Sequence, residues 1–156
     1  MPTPKIRPCL WFDGNAEEAM NFYCSVFPNS KVLNVSHANG RVLVAVFQLE
    51  GQELMALNGG PEFHFTEAIS LSVDCKDQAE VDRLWNALVE GGEPSQCGWL
   101  KDRYGLSWQI VPTVLPELLG GGGDPERANR VMQAMLKMRK LDIATLRRAY
   151  EGKEAD

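Results

Sequence analysis

The sequence predicts an α+β fold made of two tandem β-α-β-β-β modules with helices after them. Three observations predict it: an internal repeat, the strand-like runs that follow each copy of it, and a change of pattern after a run of four glycines. Repeats come first because a missed repeat misassigns the whole fold. Residues 6–27 and 68–89 share a pattern at an offset of 62, although few identities survive.

Each copy opens on a short strand and passes through a polar turn. A helix start follows, Asn15-x-x-Glu18 in the first copy and Asp77-x-x-Glu80 in the second. Both resemble a capping box, with a side-chain oxygen for orphan N–H groups and a carboxylate near the positive helix end. The helices then carry matching apolar stripes at i, i+3, i+4 and i+7. Ala19, Phe22, Tyr23, Val26 and Phe27 correspond to Val81, Leu84, Trp85, Leu88 and Val89. Pro28-Asn29 stops one helix and Gly91-Gly92 the other.

Strands are predicted over 31–36 and 41–49, flanking the Asn39-Gly40 tight-turn signal, and over 54–57 after Gly51-Gln52. The run from Arg41 to Leu49 is apolar on both faces, which predicts a central strand. In the second copy the strands are expected at 96–101 and 106–111, joined by Asp102-Arg103-Tyr104-Gly105, with the first strand after the helix very short. Gly120–Gly123 reads as a flexible linker. Asp124-Pro125 then starts a helix whose apolar side is Val131, Met132, Met135 and Met138. Asp142 starts another, with Ile143, Leu146 and Tyr150 on one side. Residues 1–156 are read as one domain, with modules at 5–60 and 66–115 and a helical appendage at 124–151.

Composition excludes several classes of function. Hydrophobic residues make up 44% and charged residues 24%, as in globular proteins. A formal net charge of −5, without a sustained basic run, disfavours a nucleic-acid partner. No apolar run approaches the roughly 20 residues that span a bilayer. The first residues lack the apolar core of an export signal. Cys9, Cys24, Cys75 and Cys97 are scattered, which reads as reduced thiols in a cytoplasmic protein.

Local strings narrow the family. Leu10-Trp11-Phe12-Asp13-Gly14-Asn15-Ala16-Glu17-Glu18-Ala19, Met55-Ala56-Leu57-Asn58-Gly59-Gly60 and Gly98-Trp99-Leu100-Lys101-Asp102 resemble the PhnB-like branch of the vicinal oxygen chelate superfamily. So does Gly105-Leu106-Ser107-Trp108-Gln109-Ile110-Val111-Pro112. That superfamily includes glyoxalase I, extradiol dioxygenases and bleomycin-resistance proteins. The resemblance is read over about residues 5–150. It implies curved mixed sheets around a cup, and a homodimer in which cups close within or across chains. The Met-rich helix at 126–139 offers adaptable apolar surface for that partner. Members often bear the name 3-demethylubiquinone-9 3-methyltransferase. The sequence, however, has no glycine-rich loop between a strand and a helix to cradle an adenosyl cofactor, and no cofactor is expected.

The resemblance also implies where a metal would sit: His on the first strand of each module and a carboxylate on the last. The offset places the His positions at Ile6 and Ala68, and the turn glycines Gly51 and Gly105 place the carboxylate positions at Met55 and Gln109, four residues on. Isoleucine and alanine cannot coordinate, a thioether suits soft ions, and a neutral amide is a weak ligand. No metal is therefore expected. His37 is expected at a hairpin surface. His64, in Phe63-His64-Phe65, is either a pocket residue or a linker residue among aromatics.

Alternation assigns the remaining candidates. Ile69, Leu71 and Val73, with Leu106, Trp108 and Ile110, are expected to back onto a helix. Ser70, Ser72, Ser107 and Gln109 then face the cup, with Val111. Leu10 and Met55 join them from the first module, and Trp99 is the tryptophan expected to reach a pocket. These residues suit an uncharged or weakly polar organic ligand. Cys97, near Lys101, is the candidate catalytic nucleophile, because a nearby ammonium favours the thiolate. Two readings follow: a protein that binds a small organic molecule without a metal, and a metal-free enzyme acting on one.

Overall fold

A computed structural model describes residues 4–153 of the chain. The chain divides into two compact units, one running to Phe65 and the other from Thr66 onward.

The first unit contains β1 (Cys9–Phe12), α1 (Ala16–Val26), β2 (Ser30–Ala38), β3 (Arg41–Leu49) and β4 (Gln52–Asn58). Its sheet runs β1-β4-β3-β2, with β1 parallel to β4 and the other pairs antiparallel. As the apolar pattern predicts, β3 is interior. One face is built to receive α1. Leu10, Phe12, Ala45, Phe47, Leu54 and Ala56 are buried there, and the helix contributes Ala19, Met20, Tyr23 and Val26. Ala45 lies opposite Ala56 in register, so two methyl groups let the helix approach closely. The Tyr23 ring stacks on Phe47 at 6.4 Å between centroids. Burying each large side chain stabilises the unit by roughly 1.5–3 kcal/mol relative to exposure.

Asn15 does not cap α1 with its side chain. Asn58, at the end of β4, does so instead: its Oδ1 accepts from the Ala16 N–H at 2.9 Å, and its Nδ2 donates to the Val42 carbonyl. The cap predicted as local is thus supplied across the sheet. After β4 the chain folds back along β1. Trp11 Nε1 donates to the Gly60 carbonyl and the ring meets Phe63 edge-on at 4.9 Å. A Cβ on Gly59 would fall 2.4 Å from that indole, so only glycine fits there.

The second unit repeats the plan with β5 (Ser70–Cys75), α2 (Gln78–Val89), β6 (Glu93–Pro94), β7 (Trp99–Lys101) and β8 (Ser107–Pro112). Its sheet runs β5-β8-β7-β6, again with the first-listed pair parallel. The predicted short strand is β6, two residues long. Asp77 caps α2 by accepting from the Glu80 N–H at 2.9 Å, and Glu80 accepts from the Lys76 N–H at 3.0 Å. The Asp77 cap predicted for the second copy therefore forms, with the Glu80 carboxylate reaching back past Asp77 to the Lys76 N–H.

The two copies differ by one residue where it matters. Three residues (Asp13, Gly14, Asn15) separate β1 from α1, but only two (Lys76, Asp77) separate β5 from α2. Gly14 takes φ +81°, which absorbs the extra residue. The helix caps obey the offset of 62, whereas the strands that precede them match at 63. Phe12 and Cys75 are the equivalent buried residues.

The carboxyl-terminal segment forms α3 (Leu115–Leu119), a 3₁₀ turn (Gly121–Gly123), α4 (Pro125–Leu136) and α5 (Ile143–Glu151). The glycine run is not a flexible linker. A Cβ on Gly121 would lie 2.8 Å from the Ala128 nitrogen, and Gly121, Gly122 and Gly123 all have positive φ. These glycines let the turn press against α4. The helices enclose their own core of Leu115, Leu118, Val131, Leu141 and Leu146, against which Val111 of β8 packs. Gln78 of α2 also bonds to this segment, donating to the Leu141 carbonyl and accepting from the Ile143 N–H. The appendage is thus built into the second unit. Among the described residues no helix is long and apolar enough to cross a membrane.

Candidate functional site

In the second unit, α2 covers one face of the sheet. Leu71 and Val73 pair with Trp108 and Ile110, which are buried on that face with Leu100 and Leu106. Ile69 does not join them: it precedes β5 and is 60% exposed. The opposite face is polar and ordered in rows. Ser70, Ser107 and Lys101 form one row across β5, β8 and β7, and Ser72, Gln109 and Trp99 form the next. Asp74 and Val111 follow, where Val111 meets the carboxyl-terminal core. The structure therefore gathers Ser70, Ser72, Trp99, Ser107 and Gln109 on one face, as alternation predicts.

Gln109 Nε2 donates to Ser70 Oγ at 2.9 Å. Ser107 is 1% exposed, and its hydroxyl has no hydrogen-bond partner among the described residues. At the row's other end the Lys101 ammonium is paired with Glu67. That contact holds the Glu67 carboxyl below its ordinary range and the Lys101 ammonium above its own, first through the hydrogen bond and then through charge.

The residues assigned to the first module separate. Met55 lies on the face away from α1, in register with Cys9 and Val46. Leu10 is 4% exposed on the α1 side, among the core residues. Its assignment to the same face as Met55 is corrected, because Ser72 corresponds to Cys9 and not to Leu10 once the strands are matched at 63. A slip of one residue in a strand exchanges its faces. Under the same match Met55 and Gln109 remain equivalent.

Of the inferred metal positions, Ile6 is 85% exposed and precedes β1, and Ala68 is exposed ahead of β5. Among the described residues no three His, Cys, Asp or Glu side chains gather as a ligand set. The donors on the polar face are hydroxyls, one amide and a single carboxylate, Asp74, a set that does not fit a first-row transition metal. His37 is exposed at the end of β2, next to the hairpin turn. His64 is exposed between Phe63 and Phe65, which lie against Trp11 and Phe12.

Cys97 has φ +59° in the turn before β7, and its N–H donates to the Met138 carbonyl. Lys101, expected to activate it, is engaged with Glu67, so the structure does not assemble that pair. The neighbouring Gly98 has no room for a side chain, since a Cβ would meet Leu141 at 2.9 Å. Sequence reasoning missed Asp102. This carboxylate is 2% exposed and accepts from the Tyr104 and Leu106 N–H groups and from Trp108 Nε1, the last at 2.9 Å. The legible signal was an Asp opening a four-residue turn, with a tryptophan six residues on.

Two parallel-edged sheets, each with one helix between its first two strands, define the vicinal oxygen chelate class, the group of glyoxalase, bleomycin-resistance and dioxygenase domains. The fosfomycin resistance protein FosX of Listeria monocytogenes, solved with Mn(II) and sulfate, shares this fold (TM-score 0.54, 14% identity, 76% of this chain and 97% of that one). So does protein PA1353 of Pseudomonas aeruginosa (TM-score 0.60, 24% identity, 70% and 98% covered). Within the class, the chain belongs to the PhnB-like family, whose model is described as 3-demethylubiquinone-9 3-methyltransferase and matches residues 4–111. The PhnB protein of Bacillus cereus is 36% identical over 70% of this chain and all of its own length, with a TM-score of 0.67. No curated protein matches the chain. The family match ends within β8, so α3, α4 and α5 lie beyond it.

Proposed function

We propose that the chain binds a small, uncharged or weakly polar organic molecule on the polar face of the second sheet, without a transition metal. The observation that carries this reading is bonding capacity left over at one place. An amide offers two donors and two acceptor lone pairs, and a hydroxyl one donor and two. Gln109 uses one donor on Ser70, and Ser107 uses none of its capacity among the described residues. A carbonyl or hydroxyl on a ligand would complete these groups without the cost of desolvating an unpaired charge. Trp99, beside Gln109, offers a ring for the apolar part.

The family description points to a methyltransferase, and the residues do not fit an adenosyl cofactor. The glycine run follows α3 and not a strand, and its space is filled by α4. Of the carboxylates at this face, Glu67 is paired with Lys101 and Asp74 lies a row beyond Gln109, an arrangement that favours binding over turnover. The four free cysteines, none of them disulfide-bonded, agree with a reducing cytoplasmic setting.

Native mass spectrometry of the purified protein is expected to recover one organic molecule per chain. Gln109→Leu should weaken its binding by about 1–3 kcal/mol while lowering stability by only about 1 kcal/mol. A stable variant that binds as tightly as wild type would overturn the assignment. One divalent metal ion per chain in the same spectra would overturn its metal-free part, and turnover of the recovered molecule would make the protein an enzyme.

A further inference from the structure

The segment beyond the family match carries a cavity of its own. A cleft of about 260 Å³ opens between the end of α4 and α5. Ala134, Met138 and Ala149 give it apolar walls, and Lys137, Arg148 and Lys153 bring three positive charges to its lining. No carboxylate lines it, although Glu151 reaches Lys153 at 3.2 Å.

Helix dipoles account for part of this arrangement. Lys137 is the C-cap of α4, Arg148 stands in the last turn of α5, and cations are favoured at helix C-termini. The dipole does not account for the hydrogen bonding of Arg148. Its Nη2 donates to Thr145 Oγ1 at 3.0 Å, but its Nε–H is buried with no acceptor among the described residues. Arg130, on the facing helix, shows what a satisfied guanidinium looks like here: its Nε and Nη2 donate to the Ala149 and Tyr150 carbonyls at 2.8 and 2.9 Å. A buried N–H left without a partner is unfavourable, and more so on a charged group.

We infer that this cleft binds a small oxyanion, a carboxylate or phosphate group on a short organic body. An oxyanion would accept charge-assisted hydrogen bonds from the Arg148 Nη groups, beyond the one Nη2 gives to Thr145. Lys137 would add a second charge, and the methyl and thioether walls would hold an aliphatic portion. The volume is below the roughly 300–1,000 Å³ of drug-sized pockets, which limits the ligand to a few heavy atoms beyond its charged group. This site is separate in place and chemistry from the polar sheet face, which suits neutral groups.

The test uses the full chain with inorganic phosphate and with butyrate, each against chloride at matched ionic strength. NMR of arginine side-chain Nε–H groups should show one saturable shift, lost in Arg148→Gln, with a dissociation constant near about 1 mM or tighter. Saturation by phosphate alone would assign a phosphoryl ligand, and by butyrate alone a carboxylate that uses the apolar walls. Lys137→Gln, at an exposed position, should raise the dissociation constant at least about threefold, and it carries the test if Arg148→Gln fails to fold. Equal shifts with chloride, no saturation with either anion, or unchanged binding in Lys137→Gln would overturn the inference.

Discussion

Asp102 ties three donors to one buried carboxylate, so its removal acts on stability before anything else. Asp102→Ala is expected to cost roughly 3 kcal/mol, since two backbone N–H groups and the Trp108 indole lose their acceptor. Asp102→Asn should recover part of that, because one amide oxygen can still accept. Urea denaturation of both variants checks the order. Cys75 shows a second effect of burial. Removal from water, with smaller contributions from Glu80 and Asp74, pushes its thiol from 9.0 up to about 12. Between those values the folded chain holds a proton that the unfolded chain has released, so stability falls as pH rises through the window. Thiol labelling at pH 9 should leave Cys75 unmodified while Cys9, exposed on β1, reacts. Single residues were the least legible level in the sequence. Asn15 has the right type for a cap, but Asn58 fills the role from 43 positions away, and local spacing carries no trace of such a partner.

Elements were far more legible, because periodicity reports burial directly. The α1 and α2 stripes, the interior β3 and the helix face of β8 all follow from it. The error over Leu10 shows where periodicity fails. Helix caps fixed the offset between the copies, yet the turn before α1 is one residue longer, and a strand has no tolerance for that difference. The positive φ of Gly14 records the insertion, but many loop glycines look alike in sequence. The glycine run misled for a similar reason, since glycine serves both flexibility and close approach. Gly121→Ala separates the two roles. A linker would tolerate it or gain stability, whereas here a Cβ meets Ala128 at φ +64°. A loss of more than about 1 kcal/mol in thermal unfolding is expected, above the usual cost of a surface change.

The whole molecule joins a family domain to a helical segment that the family match does not include. That segment reaches the candidate binding face through Val111, and it leaves Met132 and Leu136 of α4 exposed. Homodimerisation through this apolar strip is the expected use of it, since a pliable thioether surface adapts to a partner. Sedimentation of wild type should give twice the 17.4 kDa chain mass, and Met132→Lys with Leu136→Glu should return the monomer. A wild-type monomer at about 10 μM would count against it. The bond between Asp102 and Trp108 has an optical consequence as well. Trp108 and Trp85 are 2% and 7% exposed, while Trp11 and Trp99 are only half-buried. The chain therefore carries two emitting populations, and a collisional quencher such as iodide reaches only one of them. A molecule settling beside Trp99 would shield part of the quenchable light and leave the Trp108 emission as an internal standard for the intact fold.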